Sequence, residues 1–349
     1  MRLDTKKLGA KISEYAVFIA LVLLVVAMMI FADGFATSSN LLNLLRQAAF
    51  NGLIAFGMTL VILSDGIDLS VGSVFALAAI ICAELIMGGM NTILAVLIAL
   101  VAGTALGLVS GFLVAKCRLQ AFIATLITMT AYRGVAYIIT DGRPISRLAE
   151  SATSGAFFFK AMGKGNLLIF ETIKIPIPAL ILILAFVVVW FILTKTTFGR
   201  RIYATGSNAK CAKLVGVDTA KIKMACYGIS GFLASLAGLL MCSRLNAAQP
   251  TFGDGYELDA IAATALGGTS MSGGRGKITG TIAGVLIIAV LNNGMNIMNI
   301  SSYYQQVGRK LPLPMAALGK PAALIAPACF PALLFASSIH FPEKAPDWP

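Results

Sequence analysis

Residues 92–115 read TILAVLIALVAGTALGLVSGFLVA, a run in which no side chain carries a charge. A helix needs about 20 apolar residues to cross the roughly 30 Å hydrocarbon core of a membrane. Comparable runs recur along the chain, at about 15–33, 46–64, 71–88, 121–140, 176–194, 222–242, 256–272 and 278–298. The sequence therefore predicts an all-α, polytopic transmembrane helical bundle of about nine to ten spans.

The composition supports a membrane protein. Hydrophobic residues make up 58% of the 349 and charged residues 12%, about half the charged share of a soluble domain. The net charge of +12 could indicate nucleic acid, but Lys and Arg lie between the apolar runs and form no stripe interleaved with aromatics. Six scattered cysteines and one histidine predict neither a zinc site nor a disulfide framework.

The basic residues also predict the orientation. The first apolar run follows a basic segment, exceeds the length of a signal peptide's apolar region and lacks an A-x-A site, so we interpret it as a retained helix. A cytoplasmic N-terminus places the basic connections after the fourth and sixth spans inside. The connection at 141–175 is also basic although parity puts it outside, and its length weakens the charge rule there.

Two polar stretches, 65–72 and 267–274, share glycine, serine and glycine in register and each join two apolar runs. This correspondence hints at an internal duplication. The glycines favour either a tight hairpin that moves or touches a partner, or helix packing by small residues. A P-loop is excluded, because Met271 and Ile278 stand where glycine and Ser or Thr are required. Any ATPase must be another chain.

The most polar segment spans residues 198–218. Within it, residues 208–215 can form a short helix, capped by Asn208 and ended by Gly216. This segment is either a docking helix for a nucleotide-hydrolysing partner or a solvated basic loop that only sets topology.

Ionisable and amide side chains inside the predicted spans are candidate pathway residues. Glu84 either lines a pathway or reaches the membrane interface, and Arg133 either lines a pathway or forms a structural ion pair. Amides suit sugar hydroxyls, but hydrogen bonds between helices explain them equally well. The amide candidates are Asn51, Asn292, Asn293 and Asn296.

Several motifs in order resemble ribose-type permeases of ATP-binding-cassette importers. They lie at 57–64, 66–73, 256–263, 266–270 and 273–276, with the loop Gly206-x-Asn208 between them. The resemblance covers about residues 15–306 and implies a permease domain over 1–306. It implies ten spans across the bacterial inner membrane, with both ends of the chain in the cytoplasm. It also implies alternating access without covalent chemistry or a cofactor.

The resemblance also implies partners: a cytoplasmic ATPase, a periplasmic sugar-binding protein, a second permease subunit forming a homodimer, membrane lipid and a monosaccharide such as a pentose or hexose. It implies an ATPase-coupling loop with Gly199, Arg200, Arg201, Gly206, Asn208, Ala212, Gly216 and Asp218. The glycine-rich hairpins are formed by Gly66, Asp68, Ser70, Gly72, Gly267, Gly268, Gly273 and Gly274.

Two features depart from the family pattern. Asp65 stands where the family usually has glycine, which adds a negative charge at a tight turn. Residues 307–349 form an atypical proline-rich tail, with eight of the chain's 12 prolines, where the family continues into a last apolar helix. A shifted reading frame is our hypothesis for this change, and translating the other frame tests it.

Two rival functions differ in the residues they require. The first is an ion-coupled carrier or passive channel for a small polar solute. A carrier needs membrane-embedded acids that bind an ion, and Glu84 alone is weak support for such a site. A membrane enzyme needs clustered His, Asp or Glu. Because the only histidine, His340, lies in the tail, the sequence predicts a translocation subunit and not an enzyme.

Overall fold

The computed structural model describes residues 5–152, 154–169 and 173–299, and these residues are mainly helical. The helices are α1 Thr5–Phe31, α2 Ser38–Leu63, α3 Val71–Met87, α4 Thr92–Ala115, α5 Ala121–Thr140, α6 Leu148–Ser151, α7 Ala156–Lys164, α8 Ile177–Lys195, α9 Thr197–Ser207, α10 Ala209–Leu214, α11 Thr219–Leu245, α12 Tyr256–Leu266 and α13 Ile278–Ile297. Four short strands are β1 Ile145–Ser146, β2 Asn166–Ile169, β3 Ile173–Pro176 and β4 Ala247–Ala248.

Each of the nine predicted spans contains a helix, but only part of the predicted number of crossings is confirmed. Six of the described helices, α2, α4, α5, α8, α11 and α13, are long and apolar enough to cross a membrane. The apolar part of α1 and helix α3 are shorter. The predicted tenth span and the tail at 307–349 lie outside the described residues.

The predicted span at 256–272 was wrong in its length. Helix α12 has 11 residues, which gives about 16 Å and is too short to cross the membrane. It ends at Leu266 because the residues that follow are glycine-rich, and Gly268, Gly273 and Gly274 all adopt positive φ. The apolar composition of residues 256–272 did not reveal that the helix ends at Leu266.

The bundle is built around α2 and α11, its two most buried long helices. Every residue from 52 to 63 of α2 is buried, as expected of a helix enclosed by others. Helices α4, α5 and α8 instead expose many large apolar side chains. Lipid is as apolar as these side chains, so their exposure is compatible with a membrane.

Helices α4 and α11 approach closely because glycines line their contact. Gly103, Gly107 and Gly111 recur every four residues on α4. A Cβ added to Gly107 would collide with the carbonyl oxygen of Tyr227 and lie 3.0 Å from the Cα of Gly231. Small residues at this spacing allow helix backbones to pack directly in membranes.

Contacts between connections define two ends of the bundle. At the end that we name the far end, β1 pairs with β4, and the Asn246 side chain accepts a hydrogen bond from the Ala149 N–H at 2.8 Å. At the other end, the knob end, lie α9, α10 and the turn at 267–277. The connection at 141–175 and the segment at 198–218 therefore lie at opposite ends, as the predicted parity requires.

We expect Gly107→Val to push α4 away from α11 and to destabilise the protein by about 1–3 kcal/mol, the usual range for overpacking. The midpoint of thermal unfolding in detergent should fall accordingly. The matched control is Gly134→Val on α5, because a Cβ at Gly134 meets nothing within 4 Å. Equal midpoints for the two variants would contradict the close packing of α4 on α11.

Candidate functional site

Helices α9 and α10 form a projection at the knob end, which we name the knob (residues 196–218). The Asn208 side chain accepts hydrogen bonds from the backbone N–H groups of Lys210 and Cys211, each at 3.0 Å. This arrangement caps α10, and Gly216 follows the helix with a φ of 82°. The predicted short helix and its two boundaries are thus confirmed.

The carboxyl end of the knob leads directly into α11. Asp218 accepts a hydrogen bond from the backbone N–H of Lys221 at 3.1 Å and caps this helix. That hydrogen bond holds the pKa of the Asp218 carboxyl below its ordinary value. The knob is therefore continuous with α11, a central helix of the bundle.

The surface of the knob combines apolar and basic side chains. Leu214 and Val215 are 86% and 79% exposed, whereas Ala212 is buried. The knob also carries exposed cations, at Arg200, Arg201, Lys210 and Lys213. Large apolar side chains exposed on a polar projection are characteristic of a protein-binding surface.

The knob contacts the second predicted glycine-rich hairpin and the end of α2, just before the first hairpin. The N–H of Gly274 donates to the carbonyl of Leu63 at 3.0 Å, and a Cβ on Gly206 would collide with that same carbonyl. The Tyr203 hydroxyl donates to the Gly276 carbonyl at 2.9 Å. We name this contact the junction. It comprises residues 63–65 where α2 ends, helix α9 and the turn at 267–277.

Asp65, the residue that departs from the family's glycine, lies in the junction. Its φ of 61° explains why glycine suits this position, and Asp tolerates the left-handed region better than most residues. Lys223 of α11 donates to the Asp65 carbonyl at 2.8 Å and lies 3.3 Å from its carboxylate. The extra charge is therefore paired, and it ties α11 to the junction.

After Asp65 the chain turns back into the membrane, and this forms the first break, residues 64–70. Asp68 is buried and accepts hydrogen bonds from the Ser70 N–H and hydroxyl at 3.0 and 2.6 Å, and from the Ser230 hydroxyl at 3.0 Å. Ser230 lies seven residues beyond Lys223 on α11, about 10 Å deeper. Helix α3 consequently begins inside the membrane.

A second break, residues 246–255, enters from the far end. Arg133 on α5 donates through Nη1 to the carbonyl of Pro250, and to that of Phe252 at 2.7 Å. Arg133 precedes the end of α5 by seven residues, so these contacts lie about 10 Å inside the far end. Helix α12 begins directly after this break.

The start of α3, just after the first break, meets the second break in the interior. A Cβ on Gly72 would collide with the Gly253 carbonyl and with the Glu257 carboxylate. The amino ends of α3 and α12 therefore lie beside each other within the membrane. Discontinuous helices that begin near the bilayer midplane are a recurrent feature of transporter binding sites.

The remaining candidates occupy different environments. Asn293 and Asn40 exchange two side-chain hydrogen bonds, each at 2.8 Å, and join α13 to α2. Asn292 is buried and Asn51 half-buried, while Glu84 is exposed near the far end of α3. Of the pathway candidates, Arg133 is the one with hydrogen bonds to the second break.

Sequence reasoning missed Lys223, Glu257 and the second break. Pro250, Gly253 and Gly255 lie immediately before α12, and their spacing was the available signal for an irregular segment. Within the part of the chain that the structure describes, no group of three or more His, Cys, Asp or Glu side chains could hold a metal ion.

Comparisons with known proteins agree with this geometry. The sequence model of the family described as "Branched-chain amino acid transport system / permease component" matches residues 40–312. The ribose import permease of Bacillus subtilis is 47% identical over 301 residues, which cover 86% of this chain and 90% of that protein. No solved structure matches the chain.

Permeases for other sugars are also similar. The L-arabinose transport system permease of Escherichia coli is 36% identical over 309 residues, covering 87% of this chain and 89% of that protein. The xylose transport system permease of Escherichia coli is 33% identical over 355 residues, covering 86% and 90%. The chain belongs to this family of membrane-embedded permease components of transport systems.

Proposed function

We propose that this chain is the membrane-spanning subunit of an ATP-driven importer that carries a monosaccharide, with ribose the first candidate, across the bacterial inner membrane. The observation that carries the proposal is the junction, in which α9 of the knob is hydrogen-bonded to the turn at 267–277 and packs against the end of α2. The similarity to permeases for ribose, arabinose and xylose supports a pentose as cargo.

The mechanism is alternating access, in which a partner ATPase pushes on the knob. Leu214 and Val215 supply its apolar contact, and the surrounding cations complement acidic groups on the partner. Motion of α9 then passes through Tyr203 and Gly206 to the turn at 267–277 and to the end of α2. Both segments lead into helices that meet at the breaks, so one displacement can shift the whole pathway.

The orientation follows from this mechanism. An ATPase binds in the cytoplasm, so the knob end is cytoplasmic, and so is the N-terminus. The far end, with the connection at 141–175, receives a periplasmic sugar-binding protein. A second copy of the chain completes the membrane core, which fits the exposure of Thr251 and Asp254 at the depth of Arg133, since exposed polar side chains avoid lipid.

An ion-coupled carrier is the second candidate function, and buried Asp68 is the observation that favours it. Such carriers use membrane-embedded acids. Both Asp68 oxygens, however, already accept hydrogen bonds from serine donors, which fits an acid that fixes the first break. The energy source of transport separates the two functions.

We expect deletion of this chain to abolish ATP-dependent uptake of one sugar from a panel of labelled ribose, arabinose, xylose and hexoses. The measurement compares cells with and without the chain while the ATPase and the sugar-binding protein are held constant. Uptake that persists when a protonophore collapses the ion gradients but stops when ATP is depleted identifies the importer. The opposite dependence identifies the carrier.

A second experiment tests the knob. Leu214→Ser removes apolar contact area at the proposed ATPase interface, so we expect at least tenfold less ATPase to co-purify with the permease, which corresponds to about 1.4 kcal/mol. Leu245→Ser is the matched control, because Leu245 is 52% exposed at the far end. Equal recovery of ATPase with both variants would show that the knob is a solvated loop.

A further inference from the structure

Two polar atoms beside the meeting point of the breaks lack partners. The Nη2 nitrogen of Arg133 and the Oε2 oxygen of Glu257 are buried, and neither forms a hydrogen bond within the described part of the chain. Glu257 as a whole is 5% exposed. Buried polar groups without partners cost about 1–3 kcal/mol each, and charged ones in a membrane are usually functional. Arg133 and Glu257 also interact electrostatically with each other, so the unused donor and acceptor belong to one region and point to a ligand.

The surroundings of these atoms can change shape. Gly253 and Gly255 have φ values of 69° and 81°, and glycine adopts positive and negative φ with little steric cost. In this conformation Nη1 of Arg133 donates to the carbonyls of Pro250 and Phe252, so displacement of this segment would free that nitrogen.

We propose that Arg133 and Glu257 together form the sugar-contact site of the translocation pathway, occluded in this conformation and opened when the second break moves. The ligand is a neutral polyhydroxylated monosaccharide. Nη2 donates to a hydroxyl oxygen and Oε2 accepts a hydroxyl proton, which uses both atoms. Because the two charges offset each other, the site favours a neutral ligand over a charged one. This inference rests on the proposed function.

The position of the pair fits the proposed mechanism. Glu257 stands in the first turn of α12 and contacts Gly72 in the first turn of α3. The first break reaches the junction through Asp65, and α12 reaches it through the turn at 267–277. A push on the knob therefore acts on both helices whose amino ends enclose Glu257. Opening and closing of the sugar site is thereby coupled to the knob.

The test uses the complete importer, with its ATPase and sugar-binding protein, in proteoliposomes. Transport of labelled ribose and of a series of monodeoxyribose analogues is measured with the binding protein saturated by each sugar, so that its own selectivity cancels. For Glu257→Gln we expect about tenfold slower ribose transport, since hydrogen bonds to charged groups are among the stronger ones. ATPase activity and subunit assembly should stay as in the wild type.

The deoxy analogues distinguish a residue that contacts the sugar from one that only supports the structure. If Glu257 binds a hydroxyl, the analogue that lacks that hydroxyl should be transported equally by Glu257→Gln and the wild type. Arg133→Lys, which keeps the charge but removes the forked donor, should show the same kind of analogue dependence. Asp33→Asn is the matched control, an exposed acid between α1 and α2, and should leave all rates unchanged.

Three results would overturn the inference: unchanged ribose transport by Glu257→Gln, an equal loss for every analogue, or a loss accompanied by failed assembly that Glu257→Asp also shows. The second result would identify a positioning role, and the third a structural one. A wild-type complex that transports no monosaccharide would instead overturn the importer proposal itself.

Discussion

The structure depends on one constraint, which is that each backbone amide and carbonyl inside the membrane needs a hydrogen-bond partner. Two segments within the bundle are not helical, so side chains of the long helices supply the missing donors. Tyr227 of α11 donates its hydroxyl to the Ile67 carbonyl at 3.0 Å, and Arg133 serves Pro250 and Phe252. In this conformation α5 and α11 carry the donors that the irregular backbone needs at this depth.

The same constraint explains the close contact between α4 and α11. Tyr227 lies on the face of α11 that meets Gly107 and Gly111 of α4. Direct backbone packing fixes α11 in position, and this in turn holds the Tyr227 and Ser230 hydroxyls against the first break. Packing between two long helices thus stabilises a segment that belongs to neither.

The sequence was sufficient for the architecture but not for the breaks. Long uncharged runs predicted the helices, and the short cap motif at Asn208 predicted α10, because both signals are local. The re-entry at 64–70 depends on contacts with α11, more than 150 residues later in the chain, and no local pattern encodes such a contact. The apolar residues of 256–272 resembled a span because burial in protein and burial in lipid select the same residue types.

For the candidate site, the sequence predicted the separate motifs but not which of them contact one another in the folded chain. The hairpins and the coupling loop were recognised as separate motifs, whereas in the folded chain Gly206, Gly274 and Leu63 touch one another. Among the amides, a pattern cannot distinguish Asn293, which pairs with Asn40, from Asn292. Glu257 lies in the motif at 256–263, but no pattern in the sequence predicts that its Oε2 is buried without a hydrogen-bond partner among the described residues.

The shortness of α12 has a consequence for biogenesis. Its 11 residues include two buried acids, Glu257 and Asp259, so this segment is too short and too polar to partition into lipid on its own. It can enter the membrane only against surfaces that earlier helices already provide, chiefly α2, and together with α13, which follows it. Helix α12 must therefore enter the membrane after α2 is in place and only once α13 has been synthesised. The order of synthesis is thus part of how this protein reaches its fold.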